Sequence, residues 1–581
     1  MNFLGVDHSL SGRRWIGPDA ARERAADAIC QETGLDRAIG MILARQGVAP
    51  HEAEAYLSPA LRDLLPDPRK LKDMDIAAQR LVRAAIRKER IAVFADYDVD
   101  GGTSAALLSD WFGFFGLRPT LYVPDRIDEG YGPNVPAMTE LGAVHDLIIC
   151  VDCGTLSHDA IAAGAPADVI VLDHHLGGET LPDALAVVNP NRQDEDGELA
   201  HLCAAAVVFL SLVEANRHLR ARGDKTPDLL TSLDLVALAT VADVAPLIGV
   251  NRAFVRQGLT VMARRTRPGL VALSDVARLE AAPSPYHLGY VLGPRINAGG
   301  RVGAADLGAR LLSTQDVHEA AALAQRLDSL NDERREIEAQ VREAAMAQLE
   351  ALSTDAPLAW AAGDGWHPGV VGIVASRVKE ATHRPSIVIG FDGDVGKGSG
   401  RSITGVDLGA AIQTLAAEGL LLKGGGHRMA AGLTVTRDKL DDAMARLSDL
   451  LERQGSGQRG VEDLTLDGLI MAPAATGDLI RSIERAGPFG SGSPNPRFAV
   501  PDVTVAHARP VGDGHLKLTL KDAGGTSLDA IAFSAAASPM GVTLSSGSGE
   551  RFHVVGHIEI NHWQGRERVQ LRLEDAARSN S

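Results

Sequence analysis

Apolar positions fall into successive patterns along the chain. Over 19–90, alanine, leucine and arginine recur at helical spacing. Only local breaks interrupt them, at Ser58-Pro59 and Pro66-Asp67-Pro68. This spacing predicts a helical N-terminal region over 1–80. Between 91 and 206, short β-branched runs at 91–95, 121–123, 147–151 and 169–172 alternate with longer alanine-rich segments of helical period. That alternation predicts an α/β domain over 81–312 built on a parallel, doubly wound sheet, with an apolar helix at 233–242 and helical sequence up to 312. Residues 315–352 are one charged helical stretch carrying Leu327, Leu330, Ile337 and Val341 on one face. Its position between two globular halves predicts a connecting helix over 313–353. The pattern returns to α/β over 354–454, with a strand at 386–391. A glycine- and serine-rich linker follows at 454–460. Five strand-like runs (498–505, 515–520, 527–533, 552–560 and 569–573) then predict a small barrel of the OB type over 461–577. No internal repeat is seen.

Charge and cysteine usage narrow the classes. Lys and Arg number 58 against 75 Asp and Glu, a net charge of −17 over 581 residues. A bulk electrostatic grip on nucleic acid or on an anionic membrane is therefore not what composition predicts, although basic residues can still line a cleft. No apolar run approaches the roughly 18 residues of a spanning helix, and no apolar stretch follows Arg13-Arg14, so a cytoplasmic protein without membrane attachment is expected. Four cysteines are too few for a disulfide scaffold. Cys150 and Cys153 have metal-like spacing, but without a second pair they read as packing residues.

Acidic groups gather where the apolar runs stop. The run 91–95 ends in Asp96-Tyr-Asp98-Val-Asp100-Gly101-Gly102, 147–151 ends in Asp152-Cys-Gly154, and 169–172 ends in Asp173-His174-His175. The apolar helix at 233–242 delivers Asp243. Ligands of an open α/β sheet bind outside the carboxyl ends of its strands, so these groups aim at one rim. Carboxylates so close raise one another's pKa unless a cation compensates. An EF-hand-like calcium loop is excluded because Leu107 stands where its bidentate Glu would be. Oxygen donors mixed with imidazole suit Mn²⁺ or Mg²⁺ better than Zn²⁺. Two such ions sharing an Asp form a recurring device for hydrolysing phosphoesters. Gly101 and Gly102 are expected to leave backbone N–H groups free for a phosphate.

These motifs together resemble the DHH phosphoesterase superfamily. Gly293-Pro-Arg-Ile-Asn-Ala298 with Gly300-Arg301, Gly424-Gly-Gly-His-Arg-Met-Ala-Ala-Gly432, Gly487-Pro-Phe-Gly490 and Asn561-His-Trp-Gln-Gly565 are similar to its RecJ branch, over about 81–574. The resemblance implies a parallel-sheet DHH domain, a smaller α/β DHHA1 domain and a C-terminal OB-type barrel. It also implies a 5′→3′ exonuclease specific for single-stranded DNA, acting in recombination and repair with Mn²⁺ or Mg²⁺. Carried over by position, Asp96, Asp98, Asp100, Asp152, His174 and Asp243 are implied metal ligands. His175 is the implied contact to the scissile phosphate or aid to leaving-group protonation, and Asp173 orients its neighbours.

Arg126, Arg301, Ser399, Arg401 and His427 stand among small residues and are candidate phosphate contacts, because Arg forks hold a terminal phosphate well. Trp366 is a candidate base-stacking residue or a core residue. Two other readings remain: a phosphodiesterase for short oligonucleotides or cyclic dinucleotides, which the extra barrel opposes, and an inactive replication scaffold, which the intact acids oppose. A monomer is expected, with a single-strand-binding protein and a RecQ-type helicase as partners.

Overall fold

The computed structural model describes residues 2–125, 129–350, 356–457, 462–547, 549–563 and 566–579. By internal contacts the chain forms two compact units. One contains residues 66–245 and 257–459; the other gathers 1–65, 246–256 and 460–581.

The first unit holds two sheets. Five parallel strands run in the order Thr120–Tyr122, Ile91–Ala95, Leu147–Val151, Asp168–Leu172, Ala186–Val188. Ile91–Ala95 and Leu147–Val151 are buried at every position. Helices cover both faces, so these strands have no polar alternation. Met74–Arg87 is fastened to the sheet by Arg80, which is buried and donates to Asp168 at 2.6 Å. The fifth strand, Ala186–Val188, lies outside the runs read from the sequence. Leu233–Ala242 is a helix, as expected. The connecting helix runs Val317–Glu350 with Leu327, Leu330 and Val341 buried. Beyond it a mixed sheet has the order Lys423–His427, Ala430–Thr436, Val395–Arg401, Ser386–Asp392, Ala359–Asp364.

In the second unit, Phe498–Val511, His515–Lys521, Ser527–Ala532, Arg566–Arg578 and Arg551–Trp563 pair in that order. Arg551–Trp563 pairs back to Phe498–Val511, which closes a five-stranded barrel. Closure gives each of the five strands a partner on both sides. The expected linker at 454–460 falls partly outside the described residues, as does the end of the Asn561–Gly565 motif.

The stretch read as one helical region, 1–80, is parted in the structure. Residues 66–80 lie with the parallel sheet, whereas 1–65 fold with the barrel. The physical reason is a short strand hidden in polar sequence. Arg14–Ile16 pairs in parallel with Asp463–Thr465, and fully buried Trp15 donates its indole N–H to Asp575 at 2.9 Å. Asp467, also buried, draws Arg22 and Arg45 from the two N-terminal helices onto the same unit. Among the described residues, no helix is long and apolar enough to cross a membrane.

Candidate metal centre

Each acidic loop is held open by its own backbone chemistry. Asp98 caps the helix Val99–Phe114, its Oδ1 accepting from the N–H groups of Asp100 (2.8 Å) and Gly101 (3.1 Å). This corrects the expectation for the glycines. Gly101 N–H is taken by Asp98 Oδ1, and Gly102 N–H goes to the Asp98 carbonyl at 2.9 Å, so neither is free for a phosphate. Gly101 serves instead in a close approach, since a Cβ there would lie 2.3 Å from the Asp96 carbonyl oxygen. Asp100 is fully inside, and its two oxygens accept from Ala204 N–H (2.7 Å) and Ala205 N–H (2.8 Å), the first amides of Ala204–Ala221. Asp152 turns out of its strand at φ +60°, a left-handed conformation that Asp tolerates better than most residues.

Three donor sets interlock at this rim. Asp96, Asp98 and Asp152 form one, Asp152, His174 and His175 a second, and Asp100, His174 and Asp243 a third, each with its ligand atoms within 4.8 Å of one another. His174 Nε2 stands 3.3 Å from Asp152 Oδ1 and 3.7 Å from Asp100 Oδ2, while its Nδ1 is 3.8 Å from Asp243 Oδ2. The structure thus brings all six expected ligands together, with Asp152 and His174 each shared between two sets.

The donor chemistry fits divalent cations. Asp152 Oδ1 is buried and accepts no hydrogen bond. Burial, then repulsion from Asp100, Asp98, Asp96 and Asp243, raises the Asp152 carboxyl well above its usual range. Burial, then Asp100 and Asp98, pushes Asp243 up to about 8. Asp100 is raised chiefly by burial. A buried group of carboxylates in this condition is a cage for positive charge.

A stability prediction follows, with its sign fixed by these shifts. A carboxyl raised from 3.8 to about 8 favours the folded chain below about pH 4, and loses that contribution as pH climbs to about 8. Chelated protein is therefore expected to lose thermal stability between about pH 5 and pH 8. Mn²⁺, which displaces those protons, should raise Tm by several °C more at the higher pH. Equal Mn²⁺ shifts at both values would contradict the cage.

Asp173 is engaged differently. Its Oδ1 accepts from the N–H groups of His174 (2.8 Å) and His175 (3.2 Å) and lies 2.8 Å from His175 Nδ1. Its Oδ2 accepts from Thr155 N–H (3.1 Å) and Thr155 Oγ1–H (2.6 Å). Burial opposes the Asp173 charge, but the His175 contact and the Thr155 bond outweigh it and hold this carboxyl well below its usual range. The reciprocal holds for His175. Burial lowers the imidazole, yet the Asp173 hydrogen bond and the surrounding aspartates raise it to about 9.

Sequence reasoning missed four supports. Asn189 Nδ2 donates to Thr155 Oγ1 and to the His175 carbonyl, both at 2.8 Å, and Asn191 Nδ2 donates to the His174 carbonyl at 2.6 Å. The signal was the Asn189-Pro-Asn191 turn directly after the strand Ala186–Val188. Asn297, inside a quoted motif but given no role, accepts from Val99 N–H at 3.0 Å. The Tyr131 hydroxyl donates to the Asp152 carbonyl at 3.1 Å and lies 3.2 Å from His175 Nε2.

The expected phosphate contacts distribute as follows. Arg126 lies outside the described residues. Arg301 follows Gly300, where a Cβ would meet the Tyr97 ring at 2.3 Å, so it adjoins the first acidic loop. Ala430 is the register partner of both Arg401 and His427, and Gly432 that of Ser399. Register partners in a sheet share a face, which puts Ser399, Arg401 and His427 on one side. The helix Pro368–Thr382 joins the two sets. A Cβ on Gly369 would lie 2.3 Å from the Arg301 carbonyl, and one on Gly372 would be 3.3 Å from both Ser399 Oγ and Arg401 Nη2. Trp366 is half-buried, packed over Gly363 and against the core beside it. Cys150 and Cys153 are buried packing residues.

Family profiles match along the whole arrangement: the DHH family N-terminal domain over residues 90–240, the DHHA1 domain over 355–453 and the RecJ OB domain over 466–575. A single-stranded-DNA-specific exonuclease RecJ from Dickeya dadantii is 38% identical over 540 residues, covering 89% of this chain and 92% of that protein. The chain belongs to the RecJ family. The RecJ of Escherichia coli is 35% identical over 540 residues, 89% of this chain and 92% of that one. Among solved structures, RecJ of Thermus thermophilus in complex with Mn²⁺ superposes with a TM-score of 0.80 at 29% identity, covering 97% of this chain and 79% of the other. The same RecJ in complex with Mg²⁺ gives 0.74 at 28% identity, covering 98% and 79%.

Proposed function

We propose that this chain is a single-stranded-DNA-specific exonuclease that hydrolyses phosphodiester bonds in the 5′→3′ direction, with two Mn²⁺ or Mg²⁺ ions, in DNA recombination and repair. The observation that carries the reading is the interlocking of three donor sets through Asp152 and His174. Asp96, Asp98, Asp100, Asp152, His174 and Asp243 would hold the ions. When bound, such a pair supplies neutralising charge for the phosphodiester and activates water.

The chain's own groups do the remainder. Asp173, fixed by Thr155, keeps a proton on His175, whose imidazolium is positioned to bind the scissile phosphate or to protonate the leaving oxygen. Tyr131 borders the same imidazole: its O–H proton goes to the Asp152 carbonyl, so its oxygen is left to accept from the His175 ring N–H. Arg301, Ser399, Arg401 and His427 would hold the strand's phosphates across the helix Pro368–Thr382. The domain plan behind the reading is a catalytic domain over 81–312, a connecting helix over 313–353, a substrate-binding domain over 354–454 and a nucleic-acid-binding barrel over 461–577. A monomer handing strands on from a single-strand-binding protein and a RecQ-type helicase completes it.

Digestion of single strands labelled at one end tests the polarity. With Mn²⁺, a 5′-labelled strand should yield labelled mononucleotide from the first time points, while a 3′-labelled strand shortens progressively. Chelator should stop both. Early mononucleotide from the 3′ label would reverse the polarity.

A further inference from the structure

Five large aromatic side chains among the described residues are exposed: Phe114, Tyr131, Tyr286, Tyr290 and Phe533. Two of them stack on each other. The Tyr286 and Tyr290 rings are 5.3 Å apart at 25°, with exposures of 61% and 74%. They stand four positions apart, the spacing that brings side chains together on a helix surface.

The backbone beneath them is a π-helix, His287–Leu292, leading straight into Gly293–Val302. Such turns are uncommon and recur at functional sites. This one is pinned from below. Leu288 and Leu292 are fully buried, so the tyrosines face the other way. Gly289 and Gly293 lie beside residues next to the metal ligands, at ordinary contact distance. A Cβ on Gly289 would be 3.4 Å from Val241 Cγ1, and one on Gly293 would be 3.4 Å from Ala242 Cβ and 3.9 Å from Val99 Cγ2. Val241 and Ala242 immediately precede Asp243, and Val99 lies between Asp98 and Asp100. The tyrosine pair therefore stands on a turn packed against the helix end that carries Asp243 and, at Val99, against the first acidic motif.

We propose that Tyr286 and Tyr290 form a stacking platform for nucleobases of the single strand bound at the metal centre. The proposal rests on the exonuclease reading. Stacking suits an enzyme that must accept any sequence, because every base offers a π-face. It also suits an acidic chain, since an uncharged ring adds hold on a strand without relying on net charge. The platform is a binding and positioning element and takes no part in bond cleavage.

Steady-state digestion of an oligothymidylate, and of the same strand with abasic residues through its 5′ segment, tests the pair. The double variant Tyr286→Ala/Tyr290→Ala should raise KM on the base-bearing strand about tenfold or more, with kcat within about twofold. Tyr286→Phe/Tyr290→Phe, which keeps both rings, should restore the wild-type KM. On the abasic strand, wild type and alanine variant should have equal KM. An unchanged KM in the alanine variant would overturn the proposal, as would an equal rise on the abasic strand. A wild type that digests no single strand would instead sink the activity reading. Fluorescence anisotropy of the two labelled strands then still reads the platform, with equal binding of both counting against it.

Discussion

Replacing His174 with alanine is expected to lower single-strand hydrolysis by about 10³-fold or more, the equivalent of several kcal/mol of charge stabilisation in the transition state. His174 is chosen because it stands between the acids, its Nε2 3.3 Å from Asp152 Oδ1 and 3.7 Å from Asp100 Oδ2 and its Nδ1 3.8 Å from Asp243 Oδ2. Its loss should therefore weaken both ion positions. Calorimetric titration with Mn²⁺ should show reduced affinity alongside the rate loss. Circular dichroism should stay unchanged, because the loop backbone is held by Asn189 and Asn191 through carbonyls and does not depend on the imidazole. A variant retaining the wild-type rate would remove His174 from the centre.

Asp173→Asn is the second large effect, expected at about 10² to 10⁴-fold in kcat, the range for a group that orients and charges a catalytic imidazole. The carboxylate accepts from Thr155 N–H and Oγ1–H and from two backbone amides, besides its contact with His175 Nδ1. An amide supplies one acceptor oxygen and presents a donor where only donors await it. The imidazole thus loses the anion that keeps it charged. Because Asp173 stands in none of the three donor sets, Mn²⁺ should still bind. Loss of Mn²⁺ binding equal to that of His174→Ala would show that Asp173 supports the ions and not His175.

Much of this centre is legible in the sequence, for a physical reason. A buried parallel strand must be apolar throughout, so acids at its end stand out: Asp96 after 91–95, Asp152 after 147–151, Asp173 after 169–172. Sheet topology then gathers the ends without further information. Asp243 emerges the same way from an apolar helix. What holds the loops was not legible. Asn189 and Asn191 act through side-chain bonds to carbonyls, which leave no periodicity, and Tyr131 sits in a glycine-flanked turn like many others. The glycines of the first loop were misread for the converse reason. A free amide and a capped one look identical in sequence until the capping rotamer of Asp98 is seen. The partition of 1–80 failed because the strand Arg14–Ile16 is three residues long and finds its partner only at Asp463–Thr465.

That last pairing bears on how the chain reaches its native state. Trp15 and Asp575 lie 560 positions apart. At translation rates of about 5–20 residues per second, the indole leaves the ribosome roughly half a minute to two minutes before its carboxylate exists. Through that interval a bulky apolar ring and the two helices behind it have no permanent seat, while the nuclease core between them can already close. The barrel unit therefore closes only after Asp575 is made, and the strand Arg14–Ile16 waits for that closure.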